Sequence, residues 1–263
     1  MVRIAVNGAA GRMGRRIICL LTEEKDCELA CALERQGHPD LGKDAGLLAG
    51  IGELGIPLTD RISGKPNVLL DFSAPEATLA RALECARLGT AVVIGTTGLS
   101  EEQKHRIQRE VASVVPVLVA SNMSLGVNVL LRLVGEVARA LGEQYDIEII
   151  ETHHRRKKDA PSGTALALAE RLCRALDWKP EEALTYGRSG MVGERPRRQL
   201  GMHAVRGGDI VGDHTVIFAG EGERIELTHR ASSRDVFARG AIRAARFLNG
   251  KAPGLYSMED VLS

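Results

Sequence analysis

The first 120 residues alternate short apolar runs with segments of helical spacing. The runs are rich in valine, isoleucine and leucine, which is typical of strands buried on both faces of a parallel sheet. They lie at residues 2–6, 29–33, 68–72, 91–94 and 117–119. Apolar positions recur at helical spacing over residues 12–21, 75–88 and 100–111. This alternation predicts right-handed βαβ units and a Rossmann-like, doubly wound parallel sheet.

From residue 125 onward the pattern changes. A helical period over residues 125–141 is followed by longer runs in which apolar and polar residues alternate, as they do in strands of a mixed or antiparallel sheet. These runs lie at residues 146–152, 214–219 and 223–229. Residues 186–201 are rich in glycine and arginine and are the best candidate for a mobile loop.

A last helical segment, residues 236–248, carries an apolar face that suits a return to the first sheet. We therefore predict two domains. Residues 1–122 and 232–263 form a discontinuous α/β domain, and residues 123–231 form an α+β domain with a mixed or antiparallel sheet.

Composition narrows the classes of partner. Lys and Arg number 35 against 34 Asp and Glu, a net charge of +1, so no strong field attracts nucleic acid or anionic membranes. An aromatic content of 3% argues against base-stacking surfaces and favours a small polar ligand. The five cysteines form no CxxC pair and no cluster with histidines, so we expect neither a metal site nor a disulfide framework. No apolar run reaches the roughly 18 residues of a membrane span, and we expect a cytoplasmic protein.

A glycine-rich turn follows the first predicted strand. Gly8, Gly11 and Gly14 stand between that strand and the start of a helix, the context in which such a motif binds a dinucleotide. Gly8 suits a tight turn, Gly11 a close approach of the backbone to a pyrophosphate, and Gly14 close packing of helix on strand. The spacing is GxxGxxG and not the commoner GxGxxG, so a turn without a ligand stays open on spacing alone.

Glu34 closes the second strand, about where an acidic group meets the adenosine ribose of a bound dinucleotide. Arg35 follows, and its guanidinium suits a ribose 2′-phosphate or the face of the adenine; a solvated Glu-Arg pair is the alternative. Two further segments, residues 95–97 and 120–123, follow the fourth and fifth strands, at the edge where open α/β sheets bind ligands. The alternative for either segment is an ordinary turn that binds no ligand.

The segment from Glu151 to Thr164 combines histidines, a basic run and a serine at a helix start. A hydride acceptor that becomes an anion needs a nearby proton donor, which histidine and lysine both supply. The residues at the helix start suit a substrate carboxylate. The alternative is a solvated basic loop with a serine cap.

The chain resembles the dihydrodipicolinate reductases, also named 4-hydroxy-tetrahydrodipicolinate reductases, of lysine and diaminopimelate biosynthesis. The matching stretches are GAAGRMG (8–14), DFS (71–73), GTTG (95–98), HHRRKKDAPSGTA (153–165), RGGDIVGDHTVIFAG (206–220) and HRASSR (229–234). They cover both predicted domains, and the thirteen-residue run is highly specific.

The resemblance implies reduction of a cyclic, unsaturated dicarboxylate by NADH or NADPH. It implies that His153 is a proton donor or acceptor, that Lys157 is a proton donor, and that His154, Gly163 and Thr164 bind substrate. It places the cofactor on Gly8, Ala9, Ala10, Gly11, Arg12, Met13, Glu34, Arg35, Gly95, Thr96, Thr97, Ala120, Ser121, Asn122 and Met123. It also implies a homotetramer built through the sheet of the domain at residues 123–231, which would bind the substrate.

Two other functions stay open from the residues. Another two-domain dehydrogenase of amino-acid metabolism, of the aspartate or homoserine dehydrogenase type, would not be expected to carry the HHRRKKDAPSGTA run. A redox-sensing regulator that binds NAD(H) without turnover would need a DNA-reading helix with a basic face, and the sequence offers none.

Overall fold

The computed structural model describes all 263 residues, which divide into two compact units. Unit 1 comprises residues 1–125 and 235–263, and unit 2 comprises residues 126–234. Each unit is described by itself, with strands and helices numbered along the whole chain. The bounds predicted from the pattern, at 122/123 and 231/232, lie three residues before those of the units.

Unit 1 is built on a seven-stranded sheet in the order β12-β6-β5-β4-β1-β2-β3, with every neighbouring pair parallel. The order steps outward in both directions from β1, as in a doubly wound fold, and confirms the predicted class. The strands are β1 (Val2–Asn7), β2 (Cys27–Leu33), β3 (Leu58–Thr59), β4 (Val68–Asp71), β5 (Ala91–Ile94), β6 (Pro116–Val119) and β12 (Gly254–Tyr256).

Helices cover this sheet and pack into two apolar clusters of buried residues. The helix predicted to return, α8, contacts β1, β4, β5 and β6, so that prediction is confirmed. Its buried face is made largely of alanines, which permits close packing. The helices of unit 1 are α1 (Arg12–Leu21), α2 (Ala45–Ala49), α3 (Pro75–Leu88), α4 (Glu101–Arg106), α8 (Asp235–Leu248) and α9 (Met258–Leu262).

Local signals explain where these helices begin and end. Proline stands in the first turn of α3, and Gly89 ends that helix with a φ of 70°. Ser100 and Gln103 form a capping box at the start of α4. The predicted helix over residues 100–111 is, however, not one regular helix. It ends at Arg106 and continues as a π-helical turn over Ile107–Val111, a change of hydrogen-bond register that apolar spacing does not reveal.

Unit 2 holds a five-stranded mixed sheet in the order β11-β10-β7-β9-β8. β10 pairs antiparallel with both β11 and β7, whereas β7, β9 and β8 run parallel. Helices pack on one face around an apolar cluster that includes Phe218 and the sole tryptophan, Trp178. The elements are α5 (Leu125–Leu141), β7 (Asp146–His153), α6 (Gly163–Leu176), α7 (Pro180–Ala183), β8 (Leu184–Tyr186), β9 (Leu200–Arg206), β10 (Gly212–Ala219) and β11 (Arg224–Ala231).

Residues 187–199, within the predicted loop, contain no helix or strand; whether they move stays a prediction. The five cysteines are free thiols, and Cys19 is only partly buried, whereas the other four are buried. No helix is both long and apolar enough to cross a bilayer.

Candidate active site

Strand β7 buries every second side chain, and the buried series ends in two ionisable residues. Ile147 and Ile149 face the helices, and Glu151 and His153 continue the same face. Glu151 is fully buried and His153 is 8% exposed. Because burying an unpaired charge is costly, these two side chains require partners.

Glu151 has four hydrogen-bond donors around its carboxylate. Arg206, at the end of β9, donates from its two terminal nitrogens to Oε2 and Oε1 at 2.8 and 2.7 Å. The Ser162 backbone N–H donates to Oε1 at 3.0 Å, and His153 Nδ1 lies 2.5 Å from Oε2. Burial alone raises the pKa of Glu151, but the bonds from Arg206 and His153 outweigh it, so its pKa lies below the ordinary value.

His153 packs edge-on against His214 of β10, with ring centroids 5.2 Å apart. His214 Nε2 lies 3.1 Å from Ser162 Oγ. Burial lowers the pKa of His153 even though Glu151 raises it. Burial, with the nearby His153 second, lowers the pKa of His214 to about 4. Both rings are therefore mainly neutral at pH 7.

The loop after β7 carries the basic residues. Lys157 is about one-fifth exposed, and its Nζ lies 2.8 Å from Asp159 Oδ2. The backbone N–H of Lys157 donates to His154 O at 3.1 Å, and that of Gly207 donates to His153 O at 2.9 Å. His154 Nδ1 is buried without a hydrogen-bond partner in the chain.

Helix α6 begins directly after this loop. Ser162 is its N-cap, buried, with its hydroxyl accepting from Ala165 N at 3.2 Å. Gly163 is exposed and has no atom within 4 Å of where a Cβ would stand. The helix start therefore combines a positive dipole end with open space at Gly163, which suits an anionic group.

In unit 1 the glycine-rich turn has the backbone that the sequence predicts. Gly8 has a φ of 77°, and a Cβ there would overlap the Phe72 carbonyl oxygen. A Cβ at Gly14 would overlap the Gly8 carbonyl oxygen, so helix and turn pack closely only with glycine. Gly11 is the N-cap of α1, which no side chain caps. The first turn of α1 thus fits an anionic pyrophosphate.

Glu34 reaches this turn from the end of β2. Its Oε1 accepts a hydrogen bond from Ala10 N at 3.1 Å, and its Oε2 accepts one from Arg35 N at 3.3 Å. The Arg35 side chain is exposed. The segments 95–97 and 120–123 follow β5 and β6 at the same edge of the sheet, so the structure brings all fifteen predicted cofactor residues to that edge.

The sequence analysis did not identify a buried carboxylate that lies beneath this edge. Asp71 ends β4, is 1% exposed, and accepts from Asn7 Nδ2 at 2.6 Å, Ser73 Oγ at 2.6 Å and Thr96 Oγ1 at 2.9 Å. The Thr78 hydroxyl also donates to it. Asp71 therefore ties the ends of three neighbouring strands together below the predicted cofactor residues.

The sequence reading also assigned no role to Glu151, Arg206 or His214. The signal for Glu151 was present, since an acidic residue occupies the buried phase of an alternating strand. Arg206 stands 55 residues away, so the pairing is not visible in the sequence. No group of three or more His, Cys, Asp or Glu side chains is arranged to hold a metal ion.

Comparison with known families and sequences gives a consistent result. Residues 2–123 match the family model described as dihydrodipicolinate reductase, N-terminus, and residues 126–262 match the corresponding C-terminus model. A relative from Anaeromyxobacter sp. (strain Fw109-5), named 4-hydroxy-tetrahydrodipicolinate reductase, is 52% identical over 100% of this chain and 98% of its own length. Another of that name, from Geotalea daltonii, is 49% identical over 100% and 99%.

Solved structures agree on the fold. Dipicolinate-bound dihydrodipicolinate reductase from Paenisporosarcina sp. TG-14 superposes with a TM-score of 0.78 at 24% identity, covering 100% of both chains. Amine dehydrogenase from Mycobacterium smegmatis gives a TM-score of 0.61 at 11% identity, covering 98% of this chain and 95% of that one.

Proposed function

Because the chain belongs to the dihydrodipicolinate reductase family, we propose that it reduces 4-hydroxy-tetrahydrodipicolinate to tetrahydrodipicolinate with a nicotinamide dinucleotide, in the diaminopimelate pathway to lysine. The observation that carries this proposal is the pair of family-model matches, which together span nearly the whole chain. The Glu151–His153 strand end followed by a basic loop and a helix start supports it.

The cofactor supplies a hydride when bound. The residues of unit 1 that would hold it are those at the carboxyl edge of the sheet, where the glycine-rich turn leads into α1 and the first backbone N–H groups of that helix have no side-chain cap. Glu34 would accept hydrogen bonds from the ribose hydroxyls, in place of the one it now accepts from Ala10 N.

The residues of unit 2 would bind the substrate and transfer protons to and from it. The N-terminus of α6, with Gly163 and Thr164, would hold a carboxylate, and His154 would add a polar contact. Lys157 would donate a proton to the ring as negative charge develops there, and His153 would exchange a proton through Nε2, since its Nδ1 is engaged by Glu151. Protonation neutralises the negative charge that develops on the substrate ring, which lowers the barrier to hydride transfer.

A coupled assay tests this function directly. The purified chain is added to a reaction in which a dihydrodipicolinate synthase generates the substrate, and nicotinamide absorbance is followed. We expect substrate-dependent oxidation of NADH or NADPH. An oxidation rate no higher than that of the uncoupled mixture would refute the proposed function.

The carboxylate contact at the start of α6 predicts a specific defect. Thr164→Val removes a hydroxyl and keeps the side-chain shape, so the substrate KM should rise by roughly tenfold, the worth of one charge-assisted hydrogen bond. Steady-state kinetics with each substrate varied in turn would measure it. An increase confined to the KM of the cofactor would show that this helix start belongs to a different site.

Glu34 and Arg35 make opposite demands on the cofactor, so we expect both NADH and NADPH to support the reaction. A carboxylate favours free ribose hydroxyls and repels a 2′-phosphate, whereas the adjacent guanidinium pairs with that phosphate. Arg35→Ala should weaken the binding of NADPH by roughly tenfold and that of NADH by less, since a charged hydrogen bond contributes about 1.5 to 3 kcal/mol. Michaelis constants for both cofactors would measure this change.

Two further variants sharpen that comparison. Glu34→Ala should shift the preference toward NADPH, and Arg87→Ala, which removes an exposed arginine in the last turn of α3, should change neither constant. An equal increase in the Michaelis constants of the two cofactors in Arg35→Ala would mean that the arginine packs on the adenine and does not bind the 2′-phosphate.

The proposal also covers the roles of the two domains and the oligomeric state. Residues 1–122 and 232–263 would bind the cofactor, while residues 123–231 would bind the substrate and assemble four chains through the sheet of unit 2. The open face of that sheet supports an assembly role, since Val205, paired with Thr152 on this face, is exposed there. A solution mass other than four times that of one chain, measured by light scattering, would refute the tetramer. We further propose that the enzyme acts in the cytoplasm.

A further inference from the structure

Glu151 is the most deeply buried acidic side chain of unit 2, and the family resemblance assigns it no role. Its carboxylate has 0% exposure, lies on the same face of β7 as His153, and receives donors from three separate elements. These elements are the end of β9, the N-cap of α6 and β7 itself. A group so placed fixes the positions of its neighbours relative to one another.

The contacts determine which nitrogen of His153 is engaged. An ionised carboxylate only accepts hydrogen bonds, so Nδ1 carries a hydrogen and donates it to Glu151. Nε2 is then the nitrogen available to a ligand. Gly212 lies beside this nitrogen and leaves room for the ring, because a Cβ there would stand only 2.9 Å from Nε2.

The same carboxylate reaches the helix start that would bind substrate. Its Oε1 accepts from the backbone N–H of Ser162, whose hydroxyl caps α6. Arg206 spans both carboxylate oxygens and also donates to Asp159 O at 2.7 Å, in the loop between His153 and α6. The strand end, the basic loop and the helix start thus converge on one ion pair.

We propose that Glu151 is a positioning residue, which together with Arg206 holds His153 with Nε2 facing outward and fixes it relative to the carboxylate-binding start of α6. This inference rests on the proposed function. Glu151 touches neither substrate nor cofactor in this role and acts through His153 and Ser162.

The charges around His153 give this role a measurable signature. Lys157, which is ion-paired with Asp159, lies near the ring in the loop, Arg206 approaches it from β9 and His214 from β10, with His229 of β11 near His214. Burial lowers the pKa of His153, and Glu151 is the main group that raises it. Removing the charge of Glu151 therefore lowers the pKa of His153 further.

Glu151→Gln tests the proposal while preserving shape. We expect kcat to fall by roughly 10- to 100-fold, the usual cost of removing a partner that orients a functional histidine. The dissociation constant of NADPH should not change. The kinetic pKa of His153, identified as the one that His153→Gln abolishes, should move to lower pH. A glutamate that stabilised the fold without bonding His153 in the active enzyme would leave that kinetic pKa in place.

Two other variants complete the design. Glu151→Asp keeps the charge but shortens the side chain, so its kinetic pKa should stay near that of the wild type while kcat is reduced. Glu148→Gln is the matched control. Glu148 lies on β7, on the opposite face, and is bonded to His203, Arg188 and Arg195, so this variant also removes a carboxylate from a Glu–His–Arg cluster. It should leave the kinetic pKa of His153 unchanged.

Three outcomes would overturn the proposal. One is wild-type kcat and pH dependence in Glu151→Gln, and another is an equal shift of the kinetic pKa in Glu148→Gln. If Glu151→Gln does not fold, wild-type kcat in Glu151→Asp is the third. Failure of the proposed function is distinguishable from all of these, because the wild-type chain would then show no substrate-dependent oxidation in the coupled assay.

Discussion

Replacing His153 or Lys157 with alanine should lower kcat by roughly 10²- to 10⁴-fold, the contribution of a positioned proton donor. Cofactor binding should change little, because the residues that would hold the dinucleotide lie in unit 1 and these two lie in unit 2. The measurement is kcat from the coupled assay beside the dissociation constant of NADPH from fluorescence titration. Wild-type turnover in both variants would refute the assigned roles.

Lys158 provides the internal control for this prediction. It follows Lys157 directly and carries the same charge, but it is exposed and has no assigned role, so Lys158→Ala should stay active. Lys157, by contrast, is largely buried and positioned beside Asp159. If Lys158 proves the essential lysine, the assignment of the proton donor to Lys157 is wrong.

The predicted elements that match the structure are those with many periods of one pattern. Helices α1, α3 and α5 have the predicted bounds, and the sheet of unit 1 follows from alternation of strand and helix. Elements of two or three residues, such as β3, β8 and β12, contain too few periods to stand out from a loop. Strand β9 was missed for another reason, since its buried and exposed positions do not alternate.

The candidate site shows the same division between local and distant information. The glycine turn, the Ser162 cap and the His153–Lys157 loop are contiguous, so a single stretch of sequence carries each of them. The partners that hold them are distant in sequence. Asp71 bonds Asn7 across 64 residues and Glu151 bonds Arg206 across 55, which one sequence does not reveal. Packing, and not propensity, decides these pairs.

His214 predicts how the stability of unit 2 depends on pH. Its pKa is lowered from 6.5 to about 4 by burial first and by His153 second. The unfolded chain therefore binds a proton more readily than the folded chain between pH 6.5 and 4. The contribution of His214 to the free energy of unfolding is fully present above pH 6.5 and is lost as the pH falls toward 4. The difference in pKa corresponds to a loss of about 2 kcal/mol between pH 8 and pH 5.

His214→Gln should flatten this dependence, because the amide can still bond the Ser162 hydroxyl but does not titrate. Urea unfolding followed by fluorescence of Trp178 reports on unit 2 alone, since this sole tryptophan lies in its apolar core. Between pH 8 and pH 5 the variant should lose about 2 kcal/mol less than the wild type. The comparison of slopes is independent of whatever stability the substitution itself removes. His105→Gln, which removes an exposed histidine from α4, should keep the wild-type slope. If His214→Gln and the wild type lose stability in parallel, His214 is not the buried neutral group that its packing against His153 and Ser162 requires.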